Sequence, residues 1–117
     1  HAEGYAGGEL KHGPIALVDQ HMLVVGILPK DKQFEKMLSN IEEVRSRKAQ
    51  VLLLAPAGIP QLQELPVDII ECPQIENETL QAILSVIPLQ LFAYYVALKR
   101  GTDVDQPRNL AKSVTVE

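Results

Sequence analysis

The sequence has few of the residues that a disulfide-bonded or nucleic-acid-binding protein needs. Cys72 is its only cysteine, so the chain can form neither an internal disulfide nor a cysteine-rich zinc site. Aromatic residues are 4% of the 117 residues, tryptophan is absent, and the net charge is -4. Without a basic stripe or stacking rings, the chain has little with which to hold a phosphate backbone or a base. We therefore predict no nucleic-acid partner and a reducing, cytoplasmic location.

Signals for cofactors, metals and export are also missing. The four glycines in residues 1–13 follow no strand and lack the spacing of a dinucleotide-binding loop. The three histidines, His1, His12 and His21, do not have metal-ligand spacing. No serine- or threonine-rich loop follows any predicted strand, so a phosphate cradle is expected outside this chain. The opening has neither a methionine nor a basic region before an apolar run, which predicts a segment of a longer protein without a secretory signal.

What the sequence does contain is an alternation of buried strands and helices. The predicted order is a short helical turn over 9–18, a strand over 22–28, a helix from 34 to 44 capped by Asp31 and a strand over 50–55. A loop with one helical turn over 56–66, a strand over 67–72 and a long helix over 77–100 capped by Asn77 follow. Such alternation predicts an α/β layered fold with parallel strands. Because three strands are few for such a sheet, we expect the carboxyl-terminal part of a larger unit.

The long helix is apolar enough to raise the question of a membrane span. Gln81, Ser85, Pro88 and Gln90 interrupt its apolar run, and Glu78 stands at its start. A span of about twenty apolar residues is therefore not available. We expect a helix buried against the sheet, and no membrane.

Residue type alone leaves the chemistry open. His12 can move protons near neutral pH, although by residue type alone a structural histidine is the commoner case. Lys112 can act as a base, an imine former or a phosphate ligand, or it can be a solvated surface lysine. Glu3 and Glu9 are acid–base candidates without a neighbouring partner in the sequence, and Cys72 is expected to pack as a small hydrophobe. The tail after Gly101 has a proline-set turn and two cations, which is typical of a docked segment.

Two segments resemble a known family. Glu9-Leu10-Lys11-His12-Gly13-Pro14, the stretch from Gly101 to Glu117 and the helix between them are similar to the carboxyl end of the glutamine–fructose-6-phosphate aminotransferase family, also called glucosamine-6-phosphate synthases. The similarity covers the whole chain. The tail is specific to that family, whereas the motif around His12 is shared more widely among sugar isomerase (SIS) domains.

The resemblance implies a fold and a division of the chain. It implies a three-layer, flavodoxin-like SIS sheet, of which this chain is only the carboxyl-terminal part. Residues 1–101 would belong to the SIS domain, and residues 102–117 would form a tail that closes the active site. The family's glutaminase domain, its first SIS domain and its isomerisation glutamate have no counterpart here, so the chain alone is expected to be inactive.

The resemblance also implies roles for three residues. His12 would be the histidine that opens the sugar ring, donated to the neighbouring subunit of a homodimer. Lys112 would form an imine with open-chain fructose 6-phosphate on the way to glucosamine 6-phosphate, and the backbone at Ala111 and Lys112 would contact the sugar. No cofactor is implied. The alternative is a non-catalytic SIS module that only binds a sugar phosphate, and an imine-forming lysine distinguishes the two because sensing does not need one.

Overall fold

The computed structural model describes residues 1–106 and shows a three-stranded parallel sheet with helices between the strands. Two short 3-10 helices come first, Gly7–His12 and Pro14–Leu17. The remaining elements are β1 (Leu23–Ile27), α1 (Phe34–Ser46), β2 (Gln50–Ala55), α2 (Pro60–Gln63), β3 (Asp68–Glu71) and α3 (Glu78–Lys99). The predicted α/β class and the order of the elements are confirmed.

The sheet has the order β1-β2-β3, with both pairs parallel. Leu23 is paired with Gln50 and Ile27 with Leu54, and β3 joins the other edge of β2 with Asp68 opposite Leu52. A buried parallel sheet suits the near-continuous apolar runs of β1 and β2. Because all three strands are parallel, their carboxyl ends lie along one edge of the sheet.

The core lies between the sheet and α1. Helix α1 places Phe34, Leu38, Ile41 and Val44 on one face, at the spacing of an amphipathic helix. They meet the alternate residues of the sheet that point the same way, together with side chains from the 3-10 segment and α2. The buried cluster is Ile15, Val18, Leu28, Phe34, Leu38, Ile41, Val44, Val51, Leu53, Ala55, Ile59 and Leu62.

Helix α1 begins differently from the prediction. Gln33 occupies the N-cap position and its side chain accepts no capping hydrogen bond. Asp31, the predicted cap, lies two residues further upstream, and its carboxylate accepts a hydrogen bond from the Gln33 backbone N–H at 2.7 Å. The Asp31 carbonyl also accepts from the Phe34 N–H. Asp31 therefore closes a turn that leads into the helix. Short polar side chains such as aspartate can hydrogen-bond to the backbone in a turn instead of capping a helix.

The predicted burial of α3 against the sheet is wrong for the chain described here. Asn77 caps the helix as expected, its side chain accepting from the Leu80 N–H at 3.0 Å. Yet the only buried side chains of α3 are two polar ones, Gln81 and Ser85. Most of its large apolar side chains are exposed. The pattern predicted a helix that needs cover, and the described residues supply that cover only near its start.

The sheet is also incompletely covered. The face opposite α1 carries Leu23, Val25 and Ile27 from β1, beside Leu52 and Leu54 from β2. Leu54 is buried, but Leu23 and Ile27 are both more than 40% exposed. In addition, β1 has a hydrogen-bonded neighbour on one side only within the described sheet. The structure therefore contains one complete helix–sheet layer pair and part of a second.

Candidate functional site

His12 ends the first 3-10 helix and lies on the surface. Gly13 follows with φ 156°, a backbone conformation that residues with a side chain adopt only with strain. Pro14 then starts the second 3-10 helix. The turn between the two helices thus fixes the backbone at His12, while its imidazole remains exposed. Across residues 1–106 no hydrogen bond to the His12 ring is found. A structural histidine is usually buried and hydrogen-bonded, whereas the His12 ring is exposed.

A groove of about 350 Å³ runs between the amino-terminal segment and the open edge of β1. Its floor is formed by β1 from Leu23 to Gly26, and Met37 and Ile41 of α1 line one wall. Leu10, Pro14 and Leu17 line the other side. The groove is mainly apolar, and His12 is not among its lining residues. It therefore resembles an uncovered part of the core more than a pocket for a charged sugar phosphate.

Three polar residues meet at one end of this groove. The Glu3 carboxylate accepts a hydrogen bond from the Tyr5 hydroxyl, and its other oxygen lies 3.1 Å from the His1 ring nitrogen Nε2. Hydrogen bonding to Glu3 is the main reason that the pKa of Tyr5 is raised, with small contributions from burial and from the Glu3 charge. The sequence reading found no partner for Glu3 or His1. Each partner lies two residues away, and side chains at that spacing point the same way in an extended segment.

The carboxyl ends of the strands form a second candidate surface, because ligands of open parallel sheets bind there. The Lys30 backbone N–H, after β1, donates to Gln74 Oε1, after β3, at 2.9 Å. This bond links the loops that follow the two outer strands. Cys72 lies beside it at the end of β3, where partial burial raises the pKa of its thiol. Neither loop brings a hydroxyl side chain to this edge, as the sequence indicated.

The exit from α3 sets the direction in which the tail leaves. Gly101 adopts φ 67° and Thr102 N–H donates to the Ala97 carbonyl, which together make a Schellman-type helix end. Asp103 then accepts hydrogen bonds from the backbone N–H groups of Gln106 and Asp105, and these bonds lower its pKa. The start of the predicted tail is thus a defined turn. Ala111 and Lys112 lie outside the described residues, so their position relative to His12 is not given.

No metal centre is seen in the part of the chain that the structure describes. Within it, no group of three histidine, cysteine, aspartate or glutamate side chains is arranged to hold a metal ion. Of the predicted site residues, only His12 has a described position. A contact between His12 and Lys112 therefore falls outside the residues that the structure describes.

The fold places the chain in a known class of protein domain. The SIS domain family model matches residues 1–100, and the chain belongs to the SIS domain family. The fold agrees with a solved structure described as the C-terminal domain of glucosamine-fructose-6-phosphate aminotransferase from Francisella tularensis. The two superpose with a TM-score of 0.82 at 40% sequence identity, over 92% of this chain and 30% of that one.

Within this class, several similar proteins carry the same name. The chain is 56% identical over its 117 residues to glutamine–fructose-6-phosphate aminotransferase (isomerizing) from Aquifex aeolicus, and 54% identical to the same-named protein from Escherichia coli K12. Each alignment covers the whole chain but only 20% and 19% of the relative. The resemblance seen in the sequence is confirmed, and the chain spans about a fifth of the length of these relatives.

Proposed function

We propose that this chain serves as the carboxyl-terminal part of the isomerase domain of an enzyme that makes glucosamine 6-phosphate from fructose 6-phosphate and glutamine. The observation that carries the proposal is identity of 53–56% to enzymes of that name along the whole chain. As a fifth of such a protein, the chain does not carry the complete reaction. Residues 1–101 are its part of the SIS domain, and residues 102–117 are the tail that closes over the sugar.

His12 opens the sugar ring in this proposal. Fructose 6-phosphate is cyclic in solution, and its ketone is hidden as a hemiketal. Ring opening needs one proton removed from the anomeric hydroxyl and one delivered to the ring oxygen, which an imidazole can do near neutral pH. The exposure of His12 on a fixed turn supports this role, because an exposed ring can reach a substrate held by another subunit.

Lys112 acts on the opened sugar. Its neutral amine attacks the ketone carbon, a water molecule leaves, and an imine joins the Lys112 nitrogen to the sugar. The imine activates that carbon for attack by ammonia. The backbone at Ala111 and Lys112 contacts the sugar, which keeps the ketone beside the amine. No cofactor takes part in this scheme.

The test of Lys112 uses a chimaera, in which this chain replaces the matching segment of the Aquifex aeolicus relative. Lys112→Arg keeps the positive charge but cannot form the imine, so we expect glucosamine 6-phosphate formation to be lost. Borohydride, which reduces an imine to a stable amine, should attach a hexitol phosphate to Lys112 in the parent chimaera and not in the variant. Lys99→Arg, at the exposed end of α3, is the matched control. A normal rate with Lys112→Arg would make the imine role wrong and favour a module that only binds the sugar phosphate.

His12 is tested with His12→Ala in the same chimaera. We expect kcat with fructose 6-phosphate to fall by about 10²-fold or more, the usual range for a lost acid–base group. A substrate analogue without the 5-hydroxyl cannot close its furanose ring, so its turnover should be equal in the variant and the parent. His21→Ala, another exposed histidine, is the control. Equal loss with the cyclic and the open substrate would remove His12 from ring opening.

We further propose a cytoplasmic homodimer in which each His12 serves the partner's site. A site shared between subunits is supported by the exposure of the His12 ring, which can then reach a substrate held by the partner. Mixing the inactive His12→Ala and Lys112→Arg chimaeras should then restore activity, because each mixed dimer contains one site with both residues intact. Random mixing predicts about a quarter of the parent activity. No recovery from dimers shown to have exchanged subunits would contradict a shared site.

A further inference from the structure

The chain leaves α3 through a series of hydrogen-bonded residues, 101–106, which we name the exit turn. Gly101 adopts φ 67°, and its N–H donates to the Leu98 carbonyl at 2.9 Å. Thr102 bonds twice to the Ala97 carbonyl, from its backbone N–H at 3.0 Å and from its hydroxyl at 2.9 Å. The exit turn is therefore tied directly to the last turn of the helix.

The second half of the exit turn depends on one side chain. Oδ1 of Asp103 accepts from the Asp105 N–H at 2.8 Å and from the Gln106 N–H at 3.0 Å. Hydrogen bonding to Gln106 and Asp105 also lowers the pKa of Asp103, so its carboxylate is charged at neutral pH. The sequence continues with Pro107, and a proline restricts the residue before it to extended conformations. The direction in which the chain leaves Gln106 consequently depends on Asp103.

The exit turn contributes little to the packing of residues 1–106. Asp103 and its two hydrogen-bond donors are exposed, and none of them belongs to the buried cluster between the sheet and α1. Within the described residues, the hydrogen bonds of the Asp103 carboxylate go to the turn itself. Such bonds at the surface add little to the free energy of unfolding, because water can replace each partner. The main consequence of the exit turn is thus the direction of the residues that follow it.

The position of the exit turn limits where the Lys112 amine can lie. Lys112 follows Gln106 by six residues, and six residues span at most about 20 Å. We propose that Asp103 is a positioning residue, which directs the tail so that Lys112 meets the ketone of the opened sugar. In the function proposed above, on which this role rests, Lys112 forms the imine with open-chain fructose 6-phosphate. A displacement of about 1 Å in such a reacting group can lower a rate by about 10²-fold.

Two substitutions of Asp103 in the chimaera test this role. Asp103→Ala removes the acceptor, so we expect kcat for glucosamine 6-phosphate formation to fall by about tenfold or more. Asp103→Asn keeps a side-chain oxygen that can accept from both N–H groups, and it should restore most of the parent kcat. The melting temperature should change by less than about 2 °C in both variants, because the side chain is exposed. Asp68→Ala, at an exposed aspartate of β3, is the matched control and should keep the parent kcat.

Borohydride trapping then follows Lys112 directly. The rate at which borohydride fixes the sugar phosphate to Lys112 should fall with Asp103→Ala and recover with Asp103→Asn, at an unchanged melting temperature. That result would support the positioning role.

The opposing outcomes separate this role from the imine itself. If Asp103→Ala keeps the parent kcat and trapping rate while Lys112→Arg abolishes activity, the positioning role is wrong and the imine stands. Equal losses with Asp103→Ala and Asp103→Asn would mean that the negative charge, and not the two hydrogen bonds, is needed, and the positioning role would again fail. A normal rate with Lys112→Arg would instead overturn the proposed function, and the role of Asp103 with it.

Discussion

Gly26, in the middle of β1, is the residue at which helix and sheet approach most closely. A methyl group added there would lie 2.8 Å from Ile41 Cδ1 and 2.8 Å from Leu53 Cδ2. Both neighbours are almost completely buried, at 1% and 0% exposure, so the methyl group would displace packed core side chains. The glycine is thus required by packing and not by its backbone conformation.

Gly26→Ala should therefore destabilise the chain by about 1–3 kcal/mol, the usual effect of overpacking a filled core. Urea unfolding should show a lower midpoint with an unchanged slope. Gly8→Ala is the matched control, because a methyl group at Gly8 meets nothing within 4 Å. Equal stability of the two variants would mean that α1 can move away from the sheet at no cost.

Cys72 allows a prediction about pH. Partial burial raises the pKa of its thiol above the ordinary value of 9.0. The pH at which iodoacetamide alkylation reaches half its maximal rate should consequently be higher in the folded chain than in the same chain in concentrated urea. Because the pKa of Cys72 is higher in the folded chain, the protonated thiol contributes to the free energy of unfolding. This contribution is complete below the pKa of the unfolded chain and is lost as the pH rises through the pKa of the folded chain. Equal midpoints in the two states would show that the thiol is fully hydrated in the fold.

At the residue scale, sequence reading succeeded where the signal was local. Asn77 was predicted as a cap and caps α3. The sequence pattern did not predict the cluster around Glu3, whose partners His1 and Tyr5 lie two residues to either side of it. Alternation of acidic and ring-bearing residues at positions 1, 3 and 5 was the available clue, and it is too common in loops to predict a cluster.

Among the elements, α3 is joined to the segment after β3 by the hydrogen bonds of Gln81. Gln81→Ala removes the acceptor of the Ile75 N–H and the donor to the Pro73 carbonyl. We expect a loss of about 1–3 kcal/mol, because a partly buried backbone N–H is left without a partner. Amide exchange at Ile75 should accelerate as well, since that N–H becomes unprotected.

The control for Gln81 is on the same helix. Gln90→Ala makes the same chemical change at an exposed position, so its effect should stay within about 0.5 kcal/mol. If the two variants unfold at the same urea concentration, the Gln81 bonds do not hold α3, and its orientation must be fixed by other contacts. The comparison also separates attachment from helix propensity, which is altered equally at both positions.

The element scale shows where periodicity is reliable. The apolar runs of β1 and β2 and the helical spacing of α1 predicted elements that the structure contains. The pattern of α3 predicted a helix correctly, but its burial was wrong for the described chain. Periodicity reports that a face needs cover; it does not report which part of a polypeptide provides that cover.

Taken as a whole, the molecule is more extended than its length requires. The Cα radius of gyration is 16.5 Å, whereas a compact domain of this size has about 13 Å. Its principal dimensions are 56 × 33 × 27 Å, with exposed apolar side chains on α3 and on β1. These features agree with a chain that matches a fifth of its relatives' length.

The α/β class, the order of the elements and the resemblance to glutamine–fructose-6-phosphate aminotransferases are all readable from the sequence. These follow from local patterns and from residue identity along the chain, which need no knowledge of distant contacts. Only the folded chain shows which faces are covered: α1 buries its apolar side on the sheet, whereas α3 buries Gln81 and Ser85 and exposes most of its large apolar side chains. Burial depends on what else is folded alongside a helix, and a linear pattern cannot contain that information.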